Sequence, residues 1–335
     1  MDQAPVEKRS TATGGTVLVL GGGGARGFAH FGVLQVLQRH GIKIDRVVGV
    51  SVGSFVGALY CQTPDAVTIT KRVHDHITSA HFAASYRRMM GASRSAGKRS
   101  PAKIEADDSL IVEDAVDHRI ADANGAGATG RWFGRLRQYM GRTMAFSRII
   151  FSRSILSHRP MEECLARTAT DALIESLDIP LTVVAADLRS GMPVAIDSGG
   201  LFSAVLGSTA LPGIFPPIER DGRLLADYGV VCSMPIETAL QYAPDAIIAV
   251  DLSPDVKRKE DFASGLEIVN RMEEIGAHFF KTHVSRYADV VIRPHVAQVD
   301  WADFADMDPI VAEGARAAEA ALPALLRLRE AVARS

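Results

Sequence analysis

Residues 16–53 read TVLVLGGGGARGFAHFGVLQVLQRHGIKIDRVVGVSVG, and this one stretch decides the fold class. Thr16 to Leu20 is an unbroken apolar run, as expected of a strand buried on both faces, and four glycines follow it at once. From Gly27 to His40, Phe31, Val33, Leu34, Val36 and Leu37 fall on one helical face, and Gly41 supplies the stop. Ile44 to Val50 reads as a second strand that ends at Ser51. The small, apolar residues from Gly53 to Cys61 suit a buried helix. Strand, glycine loop, helix, strand, serine, helix is a βαβα unit, and its parallel strands bring both loops to one edge of the sheet. The chain is therefore α/β.

Gly49-Val50-Ser51-Val52-Gly53 has the form of a nucleophile elbow, with small residues removing the clashes of an abrupt strand-to-helix turn. Three readings fit the glycine loop before it. Gly22-x-Gly24-x-x-Gly27 matches a dinucleotide fingerprint, but Asp45 precedes most of the second strand instead of ending it. The glycines also suit a tight turn alone. The third reading is an oxyanion hole, with N–H groups around Gly23 and Gly24 aimed from a helix start, and the neighbouring Ser51 favours it. A nucleophilic serine needs a base. His278, His283 and His295 lie downstream as possible partners, although Ser51 follows only two strands and fits α/β-hydrolase order poorly. The alternative is a carboxylate: Asp227 follows the short apolar run Arg223–Ala226 and precedes Gly229, with Asp187 and Asp251 as rivals after other strands.

Gly21 to Gly27, Gly49 to Gly53, and Asp227-Tyr228-Gly229 together resemble the three signatures of the patatin-like phospholipase family. Ser208-Thr209-Ala210-Leu211-Pro212-Gly213-Ile214-Phe215-Pro216-Pro217 is similar to the family's segment before the aspartate, and Ala288 to Pro294 resembles the C-terminal part of bacterial members. The resemblance implies a three-layer α/β/α patatin-like fold and a serine acyl-ester hydrolase acting on lipids without a metal or other cofactor. It implies Ser51 as nucleophile, Asp227 as general base, and Gly22, Gly23 and Gly24 as oxyanion donors. Arg26, Gly27, Gly49, Gly53 and Gly229 would support them. The alternative function is a non-catalytic lipid-binding or regulatory protein of the same fold. Tyr228 stands where the family usually has glycine, which predicts an altered turn or pocket at Asp227; Cys232 and Ser233 replace the asparagine common in bacterial relatives.

Beyond these motifs the chain offers Leu181–Ala186 and Pro193–Ile196 as a hairpin around Ser190-Gly191. Ala246–Val250 and Asp289–Ile292 read as further strands, and Pro309–Val332 as a closing helix. The expected organisation is a disordered tail at 1–14 and a catalytic domain over 15–325. The patatin core runs to about 240, carries a partly flexible insertion at 85–155, and is followed by a C-terminal extension, 241–335. Within the insertion, Arg131 to Arg153 holds six arginines and no acidic residue, with Trp132, Phe133, Leu136, Tyr139 and Met140 on one helical face. It reads as an interfacial helix at 131–155 in peripheral contact with a membrane, or as a lid packed through that face. A net charge of −2 gives no global attraction to nucleic acid. Three widely spaced cysteines and a polar N-terminus lead to the expectation of a cytoplasmic protein.

Overall fold

A computed structural model describes residues 14–87, 156–304 and 306–334. The tail before Gly14 and the arginine-rich stretch 131–155 lie outside the described residues. The chain opens with β1 (Thr16–Leu20), a 3-10 turn at Gly24–Phe28, α1 (Ala29–Arg39), β2 (Arg46–Val50), α2 (Val52–Gln62) and α3 (Ala66–Ile77). After the insertion come α4 (Arg159–Thr168), the hairpin β3 (Leu181–Asp187) and β4 (Met192–Ile196), and α5 (Leu201–Ser208). Next are β5 (Ile218–Arg220), β6 (Arg223–Ala226), α6 (Ile236–Leu240) and β7 (Ala246–Val250). The chain closes with α7 (Gly265–Val284), β8 (Val290–Ile292) and α8 (Asp308–Val332).

The strands form one sheet in the order β5-β6-β3-β2-β1-β7-β8, with β4 also paired to β3. β3, β2, β1, β7 and β8 run parallel, whereas β4, β5 and β6 join antiparallel at one side. Period-2 alternation divides the buried strands between two cores. Leu18, Leu20 and Val47 face a layer built from α1, α2, α3, α5 and α8. Val17, Val19, Val48 and Val50 face Ile236 and Ala239 of α6 and Val284 of α7. Helices therefore cover both faces of a mostly parallel sheet, the three-layer α/β/α arrangement. Each fully buried Leu or Phe in it contributes about 1.5–3 kcal/mol by leaving water.

Residues after 240 are integral to this body, since β7 pairs with β1 in full register and α8 lies along α1. The two helices touch through glycines. A Cβ on Gly314 would land on the Ala29 carbonyl oxygen, and one on Gly32 would land on that of Val311. Gly314→Val is therefore expected to destabilise the fold by about 1–3 kcal/mol through overpacking, read as a lower urea midpoint. An unchanged midpoint would mean that α8 is not held this closely.

The parallel strands β1, β2 and β7 end at one edge, where the glycine loop, Ser51 and Asp251 emerge. No helix of the described residues is long and apolar enough to cross a membrane.

Candidate active site

Ser51 sits in the turn between β2 and α2 at φ 54 and ψ −130, one of three described non-glycine residues with positive φ. Such a conformation costs about 1–3 kcal/mol and persists only where its surroundings enforce it. Here they do. The Ser51 carbonyl accepts bonds from the Ser54 N–H at 2.9 Å and the Ser54 hydroxyl at 2.6 Å. The Ser51 N–H donates to the Ser208 hydroxyl at 2.9 Å. The elbow glycines permit close approach: a Cβ on Gly53 would fall on the Leu20 carbonyl, one on Gly49 would lie 2.5 Å from the Gly53 oxygen, and one on Gly27 would meet the Val52 side chain.

Asp227 follows β6 and is 4% exposed. Its N–H donates to the Ala210 carbonyl at 2.9 Å, and its carboxylate accepts the Gly229 N–H at 2.7 Å. The Ser51 side chain lies on the same side, close enough to lower the pKa of this carboxylate: a Cβ on Gly229 would lie 2.9 Å from Asp227 Oδ1 and 3.6 Å from Ser51 Cβ. Burial pushes Asp227 up to about 6, the nearby Ser51 hydroxyl and the Gly229 N–H offsetting part of that rise. Desolvation thus moves Asp227 above the ordinary carboxylate value of 3.8, towards the pH at which it would work. Tyr228 does not need positive φ: it opens a short 3-10 turn and packs beside Cys232 and Met234, so the residue is accommodated without left-handed strain.

The glycine loop is held from several sides. Gly21 donates to Val250 O at 3.2 Å, and Ala25 donates to Trp301 O at 2.7 Å. Arg26 Nε donates to Val299 O at 2.9 Å, consistent with a role in orienting the loop. Gly24 adopts φ 59, where a Cβ would collide with the Trp301 carbonyl. One expectation needs correction. The Gly22 N–H donates to Ser233 O at 2.9 Å, so it is not free to bind an oxyanion. Gly22 instead gives space, since a Cβ there would lie 3.3 Å from Ser51 Cβ. The N–H groups of Gly23 and Gly24 have no partner among the described residues and lie in the same loop.

Sequence reasoning missed His30. It is fully buried on α1, and its Nε2 donates to the Gly21 carbonyl at 2.8 Å, steadying the loop from below. Burial pushes the ring down to about 4, so it stays neutral. Its polarity on the apolar face of α1 was the available signal. Ser208, Val299 and Trp301 were also not identified as part of this site.

The rival bases have other tasks. Asp187 accepts from Ser190 Oγ, Leu224 N and Arg189 N, bonds that pull it down to about 2. Asp251 is buried against Lys281 Nζ at 3.1 Å. No hydrogen bond among the described residues joins His278, His283 or His295 to Ser51. Asp45 accepts from Thr16 N at the beginning of β1, the opposite edge from the glycine loop, which removes the ribose-binding partner of the dinucleotide reading. Among the described residues no cluster of three or more His, Cys, Asp or Glu is arranged to hold a metal ion.

The raised Asp227 value has a consequence for stability. The folded state binds this proton more tightly than the unfolded chain, so the associated stability is complete below the ordinary value of 3.8 and is lost as pH rises through about 6. Asp227→Asn, which carries no charge, is expected to melt higher than wild type at pH 8 and to match it near pH 4. Equal or lower melting at pH 8 would contradict a buried, desolvated carboxylate.

A family model described as patatin-like phospholipase matches residues 18–240. Patatin-like phospholipase domain-containing protein 6 of Homo sapiens is 28% identical over 243 residues, covering 72% of this chain but 14% of that protein. An uncharacterized NTE family protein of Mycobacterium bovis is 29% identical over 250 residues, covering 75% of this chain and 52% of its own length. The chain thus spans a small part of the first relative and about half of the second. Among solved structures, VipD from Legionella pneumophila has a TM-score of 0.44 at 15% identity, covering 96% of this chain and 67% of that one. Human GIVD cytosolic phospholipase A2 has a TM-score of 0.43 at 11% identity, covering 98% and 61%. With two thirds of its length inside the family model, on a three-layer α/β/α frame, this chain belongs to the patatin-like phospholipase family.

Proposed function

We propose that the protein is a serine hydrolase that cleaves acyl esters of lipids, of phospholipase A, lysophospholipase or esterase type. Ser51 is its nucleophile and Asp227 its general base. The observation that carries this reading is the placement of a strained serine beside a buried carboxylate of raised pKa, the two flanking Gly229, next to a loop with two open N–H groups. Family membership supports lipid as the substrate class.

In the first half-reaction Asp227 accepts the Ser51 hydroxyl proton as Oγ attacks the ester carbonyl carbon. The oxyanion of the tetrahedral intermediate is held by the N–H groups of Gly23 and Gly24, each contributing roughly 2.7–4 kcal/mol. The bond to the leaving oxygen breaks, the proton passes from Asp227 to that alcohol, and acyl-Ser51 remains. Water then attacks the acyl-serine while Asp227 takes its proton, and collapse releases the fatty acid and returns the proton to Ser51. A base near 6 suits both directions of transfer, being mostly ionised at neutral pH yet only modestly weaker as an acid.

The test is turnover of a panel of phospholipids, lysophospholipids and short soluble esters by the purified chain, with products identified by mass spectrometry. Release of fatty acid from at least one lipid class, at rates above those of Ser51→Ala, supports the reading. Binding of lipids without release of any product overturns it.

A further inference from the structure

We propose that Ser208 is a positioning residue for this reaction: its hydroxyl holds the main chain of the Ser51 elbow in register with Asp227. The inference rests on the hydrolytic reading of Ser51 and Asp227. Ser208 ends α5 and is fully buried. Its Oγ accepts the Ser51 N–H at 2.9 Å and donates to the Val184 carbonyl at 2.6 Å. A hydroxyl fits this place because it donates and accepts from one atom.

The ladder explains why that matters. Val50 of β2 pairs with Val184 of β3 in parallel register. If β2 simply continued, the N–H of the next residue, Ser51, would be directed to the Val184 carbonyl. The Ser208 hydroxyl stands between these two groups and satisfies both. The chain can then leave the sheet at Ser51 and turn into α2 with positive φ, without leaving a buried donor and acceptor unpaired.

The same segment also holds the other partner. Two residues further on, the Ala210 carbonyl accepts the Asp227 N–H at 2.9 Å. Gly207, just before Ser208, packs so closely on β6 that a Cβ there would lie 2.9 Å from Leu225 Cδ1. Residues 207–210 thus tie the end of β2 to the end of β6, elements joined by no strand pairing of their own. Removing the Ser208 hydroxyl frees the elbow to shift relative to Asp227, and a misplacement near 1 Å costs on the order of 100-fold in rate.

The experiment compares the full chain with Ser208→Ala and Ser208→Cys, the latter filling the site with a weak hydrogen-bonding group. The readouts are kcat and KM on a soluble short-chain ester, and hydrogen exchange at the Ser51 amide. Both variants are expected to lose about 10- to 100-fold in kcat with KM changed less than about twofold, and to exchange the Ser51 amide faster. If alanine prevents folding, cysteine gives the same two readouts. Wild-type kcat in a folded variant, or an equally protected Ser51 amide, overturns the proposal. If the wild-type chain turns over no ester, the hydrolytic reading fails by itself. Faster Ser51 exchange in a folded variant would then still support Ser208 as the holder of the elbow.

Discussion

Replacing Ser51 with alanine is expected to lower kcat by roughly 10⁴- to 10⁶-fold, leaving only what binding and the open amides contribute. The size of the effect follows from the proposed chemistry. Without the hydroxyl no acyl-enzyme forms, and Asp227 has only water to activate. The change removes one oxygen and keeps the Cβ, so the elbow bonds through Ser54 and Ser208 survive and the fold should persist. Circular dichroism and melting alongside the rate measurement separate lost chemistry from lost structure. A folded Ser51→Ala chain that retained more than about a hundredth of wild-type turnover would show that another group attacks the ester.

Asp227→Asn is expected to reduce kcat by roughly 10²- to 10⁴-fold, the usual contribution of a positioned general base. The pH profile sharpens the test. Asp227 must be ionised to take the serine proton, and burial sets its value at about 6. Wild-type kcat/KM should therefore rise about tenfold per unit below that pH and level off above about 7. The asparagine variant should lack this limb across the range where both proteins stay folded. A variant that kept it would assign the titration to some other group. The same substitution is expected to stabilise the fold above pH 6, so activity and stability should move in opposite directions, as for a group kept for function at a structural cost.

The first half of the site was legible because local patterns carry it. Apolar runs bounded by glycine give β1, β2 and the elbow, and the period of α1 fixes the direction in which the chain returns. Asp227 was legible only as part of an ordered set of motifs; its raised pKa depends on burial that no local pattern reveals. Several elements left weak signals. α5 is only eight residues with small residues among the apolar ones, so its period is ambiguous, and β5 is three residues with two charges. The capture of Gly22 N–H by Ser233 O joins main-chain atoms far apart in sequence and leaves no side-chain trace. The clamp on the glycine loop by Val299 and Trp301 is likewise made by carbonyls, beyond the segment that the family model matches. Ser208 stood inside a quoted motif, but its role appears only when β2, β3 and α5 meet.

The proposed chemistry requires Ser51 to be an activated nucleophile beside Asp227. Intact-mass measurement after treatment with a fluorophosphonate, followed by peptide mapping, reads that activation without any choice of lipid. A single adduct on Ser51 is expected, absent from Ser51→Ala and formed far more slowly in Asp227→Asn. No adduct on the folded wild-type chain, or an adduct on another serine that persists in Ser51→Ala, would contradict it.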